Sequence, residues 1–104
     1  MKFCWIVELK GRFVAYALLQ PYGNYSILEA LWVHSKWQRK RIGYALLITL
    51  IQNAQKPIYL QSAFNTTGFY TRLGFEKIRS KDMPSDVQKR FYFAFGITLM
   101  ILKK

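Results

Sequence analysis

The first third of the chain sets apolar, β-branched and aromatic residues in short runs divided by turn signals. Lys2–Leu9, with Phe3, Trp5, Ile6 and Val7, reads as a strand. Lys10-Gly11 supplies a tight turn, and Phe13–Leu19 reads as the returning strand of a hairpin. Pro21-Tyr22-Gly23-Asn24 is a second turn signal, so Tyr25–Val33 becomes the third strand of an antiparallel meander. The period then changes. Ile42, Leu46, Leu50 and Ala54, with Leu47 and Ile51 beside them, recur at helical spacing within Arg39–Gln55, and Pro57 stops the helix. Ile58–Ala63 reads as a fourth strand, and a strand–helix–strand succession favours a right-handed crossover between parallel neighbours. Asn65-Thr66-Thr67 suits the cap of a short helix over Thr67–Leu73, ended by Gly74. Phe75–Arg79 reads as a fifth strand, Ser80–Lys89 as a polar loop, and Arg90–Leu102 as a long final strand. The predicted order is βββ-α-β-α-ββ: an α/β (α+β) fold around a mixed, mostly antiparallel sheet.

Length and composition narrow this picture. A chain of 104 residues that is 52% hydrophobic is expected to form one domain, residues 1–104, with a single core. No signal peptide is visible at Met1–Leu9, and the apolar run Phe91–Leu102 falls short of the roughly 20 residues a membrane helix needs. The expectation is therefore a cytoplasmic protein with no membrane partner. The lone cysteine, Cys4, excludes an internal disulfide and reads as a buried thiol within a strand. The charge is the outlier: 16 Lys+Arg against 5 Asp+Glu gives +11 at pH 7 and favours an anionic partner. The basic residues gather mainly in Lys36–Arg41 and in Lys77–Arg90.

The first of these groups sits where chemistry is expected. In Leu31–Ala54 an apolar strand ends at Val33, four basic residues follow (Lys36, Arg39, Lys40, Arg41), and Gly43 precedes the helix. A strand feeding a basic, glycine-containing turn at a helix N-terminus is a means of holding phosphates on backbone N–H groups. No metal-ligand spacing, Ser/His/Asp set or dinucleotide fingerprint is present.

Two stretches carry a family resemblance. Gln38-Arg39-Lys40-Arg41-Ile42-Gly43 resembles the pyrophosphate motif Q/R-x-x-G-x-G/A of the GNAT superfamily of acyl-CoA-dependent N-acyltransferases, with Arg41 where the first glycine is usual. Asn65 through Phe75, containing Phe69-Tyr70 and Gly74-Phe75, is similar to that family's N…F-Y-x-x-x-G-F helix and following strand. The resemblance runs from about Phe3 to the C-terminus and implies transfer of an acetyl (acyl) group from acetyl-CoA to a primary amine, with acetyl-CoA as co-substrate and no metal.

It also implies roles for residues. The strands Tyr25–Val33 and Ile58–Ala63 would splay apart, and the backbone of Leu31, Trp32 and Val33 would bond the pantetheine amides. Gln38, Arg39, Lys40, Arg41, Ile42, Gly43 and Tyr44 would hold the pyrophosphate. Arg41 can still adopt a helical φ, as an added phosphate contact or as a tolerated exposed replacement, the third alternative being weakened cofactor binding. Tyr70 is the candidate general acid for the departing thiolate, the alternative being a tyrosine that packs one face of its helix. Asn65 would bond the pantetheine or simply cap the helix. For the general base, Glu29 is the only acid in its strand, and His34 or a water relay are alternatives.

The resemblance is incomplete. The first strand and two helices usual in the family have no counterpart before Lys2, so the acceptor pocket is expected to be open or completed by a second copy in a homodimer. The acceptor itself, a small molecule or a protein amine, is not named by the sequence. A passive acyl-CoA binder and a basic nucleic-acid-binding module are the rival readings; no pattern of aromatics among the basic residues favours the latter specifically.

Overall fold

Period-two burial along the strands sorts the apolar residues onto two faces of one sheet. The computed structural model describes residues 3–91 and 97–104, apart from the side chains of Arg39, Lys40 and Phe64. Six strands are ordered β1-β2-β3-β4-β6-β5. They are β1 (Phe3–Leu9), β2 (Arg12–Pro21), β3 (Ser26–Val33), β4 (Ile58–Ala63), β5 (Glu76–Lys77) and β6 (Ile97–Leu102). β1, β2 and β3 form the antiparallel meander, and Lys10 (φ 51°) and Gly11 (φ 76°) make its first, two-residue turn. β3 and β4 are parallel, joined through helix α1 (Ile42–Asn53) as the crossover pattern requires.

On one face, Ile58 and Leu60 of β4 and Met100 and Leu102 of β6 pack with Leu46, Leu47 and Leu50 of α1. Leu47 and Leu50 are fully buried, each a burial of about 1.5–3 kcal/mol. The intervening residues Tyr59, Leu99 and Ile101 face the other way and pack with Tyr25, Ile27, Met83 and Val87. At the C-terminus of α1, the Lys56 ammonium donates to the carbonyl of Ile51, which also accepts from the Ala54 backbone N–H, and to the carbonyl of Ala54.

Several boundaries differ from the sequence reading. A 3₁₀ turn, Ser35–Lys40, precedes α1, so the basic residues lie before the helix and not in it. The second helix, α2, spans only Thr67–Thr71, and β5 only two residues. The polar loop contains a 3₁₀ turn (Ser80–Asp82) and a short helix, α3 (Ser85–Gln88), because Met83 and Val87 need burial against the sheet. Arg90 lies in the turn that follows, not in a strand, and residues 92–96 of the expected final strand lie outside the described residues. Cys4 is exposed, not buried: it sits in β1 beside residues that no described element covers. Ile6 (56% exposed) lies opposite Tyr16 and Tyr16 opposite Trp32, the row bordering that bare half of the face.

Candidate active site

The site begins where two parallel strands part. β3 and β4 pair only at Ser26↔Ile58, Ile27↔Tyr59 and Leu28↔Leu60. Beyond Leu28 the β3 chain stays with β2, while β4 stays with β6 as far as Ala63. A one-residue bulge marks the point of divergence: Leu19 pairs with Leu28 and Leu18 with Ala30, leaving Glu29 as the extra residue. The bulge also resets the alternation. Leu28 and Leu31, three positions apart, both pack on the α1 side, whereas Glu29 opens on the other side.

On the α1 side the parted strands continue into a cleft of about 990 Å³. Leu31 and Val33 of β3 form one wall, with Gln38, Arg41, Gly43 and Tyr44 at the turn into α1. Thr66, Phe69, Tyr70 and Arg72 form the other. The turn is fixed locally. The Gln38 side-chain amide donates to the Val33 carbonyl at 3.1 Å, and the Lys36 backbone N–H donates to His34 Nδ1 at 3.2 Å. That bond gives the histidine a capping role. Gly43 lets α1 approach β3, since a Cβ there would lie 3.1 Å from Val33 Cγ2.

Arg41 departs from the sequence reading. It takes φ 61°, ψ 17°, a left-handed conformation, and not a helical φ. The position keeps the backbone shape that its usual glycine would supply, at a cost of about 1–2 kcal/mol for a residue with a Cβ. As N-cap of α1 it makes no side-chain cap bond, and the first turn holds no acidic residue. The first N–H groups of α1 thus have no side-chain cap, and the field at that end of the helix favours anions. The guanidinium lies 5.8 Å from the centroid of the Tyr44 ring.

Across the cleft, Tyr70 packs edge-on between Phe69 (5.2 Å between centroids) and Phe75 (5.7 Å). Burial raises its pKa above the ordinary tyrosine value, so the phenol is neutral and able to donate at pH 7. The remaining candidates divide. Ile42 packs into the core, and Trp32 lies on the opposite face, stacked 5.5 Å from Phe13 and 6.0 Å from Tyr16. Asn65 is exposed on a 3₁₀ turn (Phe64–Thr66) and does not line the cleft; Thr66 heads α2, with Oγ1 donating to the Ala63 carbonyl at 2.9 Å. Arg39 and Lys40 belong to the turn by their backbone.

Glu29 is exposed and lines a second, smaller pocket of about 170 Å³ on the other face, with Tyr22, Gln61 and Arg90 among its neighbours. The sequence reading missed Thr66, Phe69 and Arg72 of the cleft and Arg90 of the pocket. Phe69 was visible as the partner of Tyr70 in the motif; the others carried no local signal. Among the described residues no group of His, Cys, Asp and Glu could hold a metal ion.

A cationic turn with backbone donors that no side chain caps, beside an unpaired strand edge, is a grip for a long ligand with phosphates at one end and amides along its length. The family comparison agrees. The model of the acetyltransferase (GNAT) domain matches residues 2–77, most of the chain. The chain belongs to the GNAT acetyltransferase family. No curated protein matches it by sequence.

Solved structures share the fold at low identity. An acetyltransferase from Streptococcus agalactiae superposes with a TM-score of 0.82 at 17% identity, over 99% of this chain and 67% of that one. Rv2747 from Mycobacterium tuberculosis, in complex with CoA, gives 0.81 at 20% identity, over 97% and 75%. N-acetylglutamate synthase from Neisseria gonorrhoeae, complexed with coenzyme A and N-acetyl-glutamate, gives 0.81 at 19% identity, over 94% of this chain. The chain spans about a quarter (24%) of the length of that synthase.

Proposed function

We propose that this GNAT domain transfers an acyl group, acetyl in the simplest case, from acyl-CoA to a primary amine. The observation that carries the reading is the left-handed Arg41 at the head of α1, directly beside the gap between β3 and β4. That conformation keeps the backbone donors of the turn available for a pyrophosphate, and Arg41 adds a cation where the motif usually has none. The β3 edge at Leu31–Val33 would receive the pantetheine amides, and Gln38 would act by holding the end of that strand to the turn.

The chemistry then needs little from the protein. The amine nitrogen attacks the thioester carbonyl, a C–N bond forms and the C–S bond breaks. Tyr70, kept protonated by burial, donates its proton to the departing sulfur. The ammonium proton leaves through Glu29, or through water held by it, on the far side of the gap. CoA complexes of the Mycobacterium tuberculosis and Neisseria gonorrhoeae proteins support the choice of cofactor through the shared fold.

Thiol release from acetyl-CoA in the presence of an amine library tests the reading, with wild type set against Tyr70→Phe. Amine-dependent release that collapses in the variant is expected. Turnover by Tyr70→Phe at the wild-type rate would remove Tyr70 as the acid, and cofactor binding without turnover of any amine would leave a passive acyl-CoA binder.

A further inference from the structure

The pocket on the face opposite α1 has lining of opposite charge at the point where the strands part. Glu29 comes from the β3 bulge, Gln61 from the first residue of β4 beyond the last β3–β4 pair, and Arg90 from the turn after α3. Arg90 is held in place from two sides. Its Cζ lies 3.9 Å from the centroid of the Tyr22 ring, and its Nε donates to the Tyr25 hydroxyl at 2.8 Å. Tyr22 and Tyr25 are themselves stacked, 5.0 Å between centroids, and Tyr25 is buried. Asp86 also interacts with the Tyr25 hydroxyl, but it does not line the pocket. Such an arrangement occupies Nε and the face of the guanidinium, and the Tyr22 hydroxyl interacts with the group as well. A guanidinium has five N–H donors in all, so further donors on the exposed Arg90 can serve an anion.

We propose that the acceptor is a small amine that also carries a carboxylate, an amino acid in the simplest case, with Arg90 binding the carboxylate and Glu29 receiving the amine. The assignment rests on the acyl-transfer reading above and names the substrate class for that same site. Size supports it: about 170 Å³ is below the ~300–1,000 Å³ of sites for drug-sized ligands, and suits a small metabolite better than a segment of protein. Charge supports it as well. A simple polyamine would meet Arg90 with like charge, whereas a zwitterion meets one opposite charge at each end. The ammonium would lose its proton to Glu29 or its water, and the freed nitrogen would reach the thioester through the gap between β3 and β4.

The test compares free L-amino acids with their carboxamides as acceptors, after acetyl-CoA binding has been established by calorimetry. The lost charge-assisted bonds predict that at least one free acid exceeds its amide by about tenfold to a hundredfold in kcat/KM, chiefly through KM. Arg90→Ala should collapse that ratio, Arg90→Lys should restore part of it, and Arg79→Ala, which alters an exposed ion pair elsewhere, should keep it. Circular dichroism of each variant separates loss of fold from loss of recognition, and Tyr25→Phe offers a milder change that loosens Arg90 without removing its charge. If amines are acetylated but every amide equals its acid, or if folded Arg90→Ala keeps the preference, the assignment is overturned while acyl transfer stands. Absence of any acetyl-CoA binding would overturn the acyl-transfer reading, and this inference with it.

Discussion

The two sides of the β3–β4 gap are built from different materials. On the α1 side the end of the cleft at the turn into α1 offers backbone, an unpaired strand edge and a left-handed residue at the helix N-terminus, while side chains such as Phe69 and Tyr70 wall the rest. On the other side the pocket is mainly side chains brought together from distant positions, Tyr22, Glu29, Gln61 and Arg90. A backbone grip suits a cofactor shared by many relatives, because it depends on local conformation. A side-chain pocket suits an acceptor particular to one chain, because a few substitutions re-aim it. Changes on the cleft side should therefore alter acetyl-CoA handling for every acceptor. Changes on the pocket side should alter the choice of acceptor.

The strongest way to break this division is at Tyr70. Tyr70→Phe should lower kcat by about 10²–10⁴-fold, the usual contribution of a positioned acid, with every acceptor alike. Steady-state kinetics with two unrelated amines would show it; a loss confined to one amine would move Tyr70 to the acceptor side. Next in size is the support beneath the cleft. Leu50→Ala removes a fully buried side chain of α1 and should cost about 2–5 kcal/mol in urea unfolding. A cost well under 1 kcal/mol would mean that α1 is not anchored as described.

Arg41 gives a smaller but more discriminating effect, because its backbone and its charge pull in opposite directions. Arg41→Gly should stabilise the fold by up to about 1–2 kcal/mol by relieving the left-handed strain. The same change should weaken acetyl-CoA binding several-fold and flatten its salt dependence. A melting temperature that falls would contradict the conformation assigned to this residue.

The smallest effect is in pH. Burial is the leading cause that raises the pKa of Tyr70 on the cleft side and of Tyr25 and Tyr59 on the other. A raised folded-state pKa means that the folded protein holds the proton more tightly, so this contribution is fully present below pH of about 10, where unfolded tyrosines begin to ionise. It is lost as pH rises through the folded-state values. Denaturant midpoints should decline above that pH, and less steeply in Tyr70→Phe or Tyr25→Phe. An unchanged slope in both variants would contradict the burial described for these phenols.

What the sequence made legible follows the same division. Local patterns make the meander, the crossover helix and the basic turn legible, because spacing along the chain determines each of them, whereas the Phe69-Tyr70 pair is legible only through the family resemblance. The bulge at Glu29 was not legible, since an extra residue in a ladder depends on the partner strand. Arg41 misled for a related reason: a non-glycine residue suggested helical φ, but the turn imposes the left-handed conformation. Arg90 reads as the start of a strand in the sequence, ahead of the apolar run that follows it. The burial of Met83 and Val87 instead draws the segment onto the sheet and sets Arg90 against Tyr22 and Tyr25. Cys4 reads as core material because strands usually bury such residues, yet the half-sheet it occupies has no described element over it.

The central claim, that the cleft holds an acyl-CoA by its pyrophosphate, is tested most directly by calorimetric titration with acetyl-CoA and with S-acetyl-pantetheine, which lacks the phosphates. The account predicts one site for acetyl-CoA, weakened by added salt, and at least about tenfold poorer binding of S-acetyl-pantetheine. No heat at millimolar acetyl-CoA, or equal affinity for the two compounds, would contradict it.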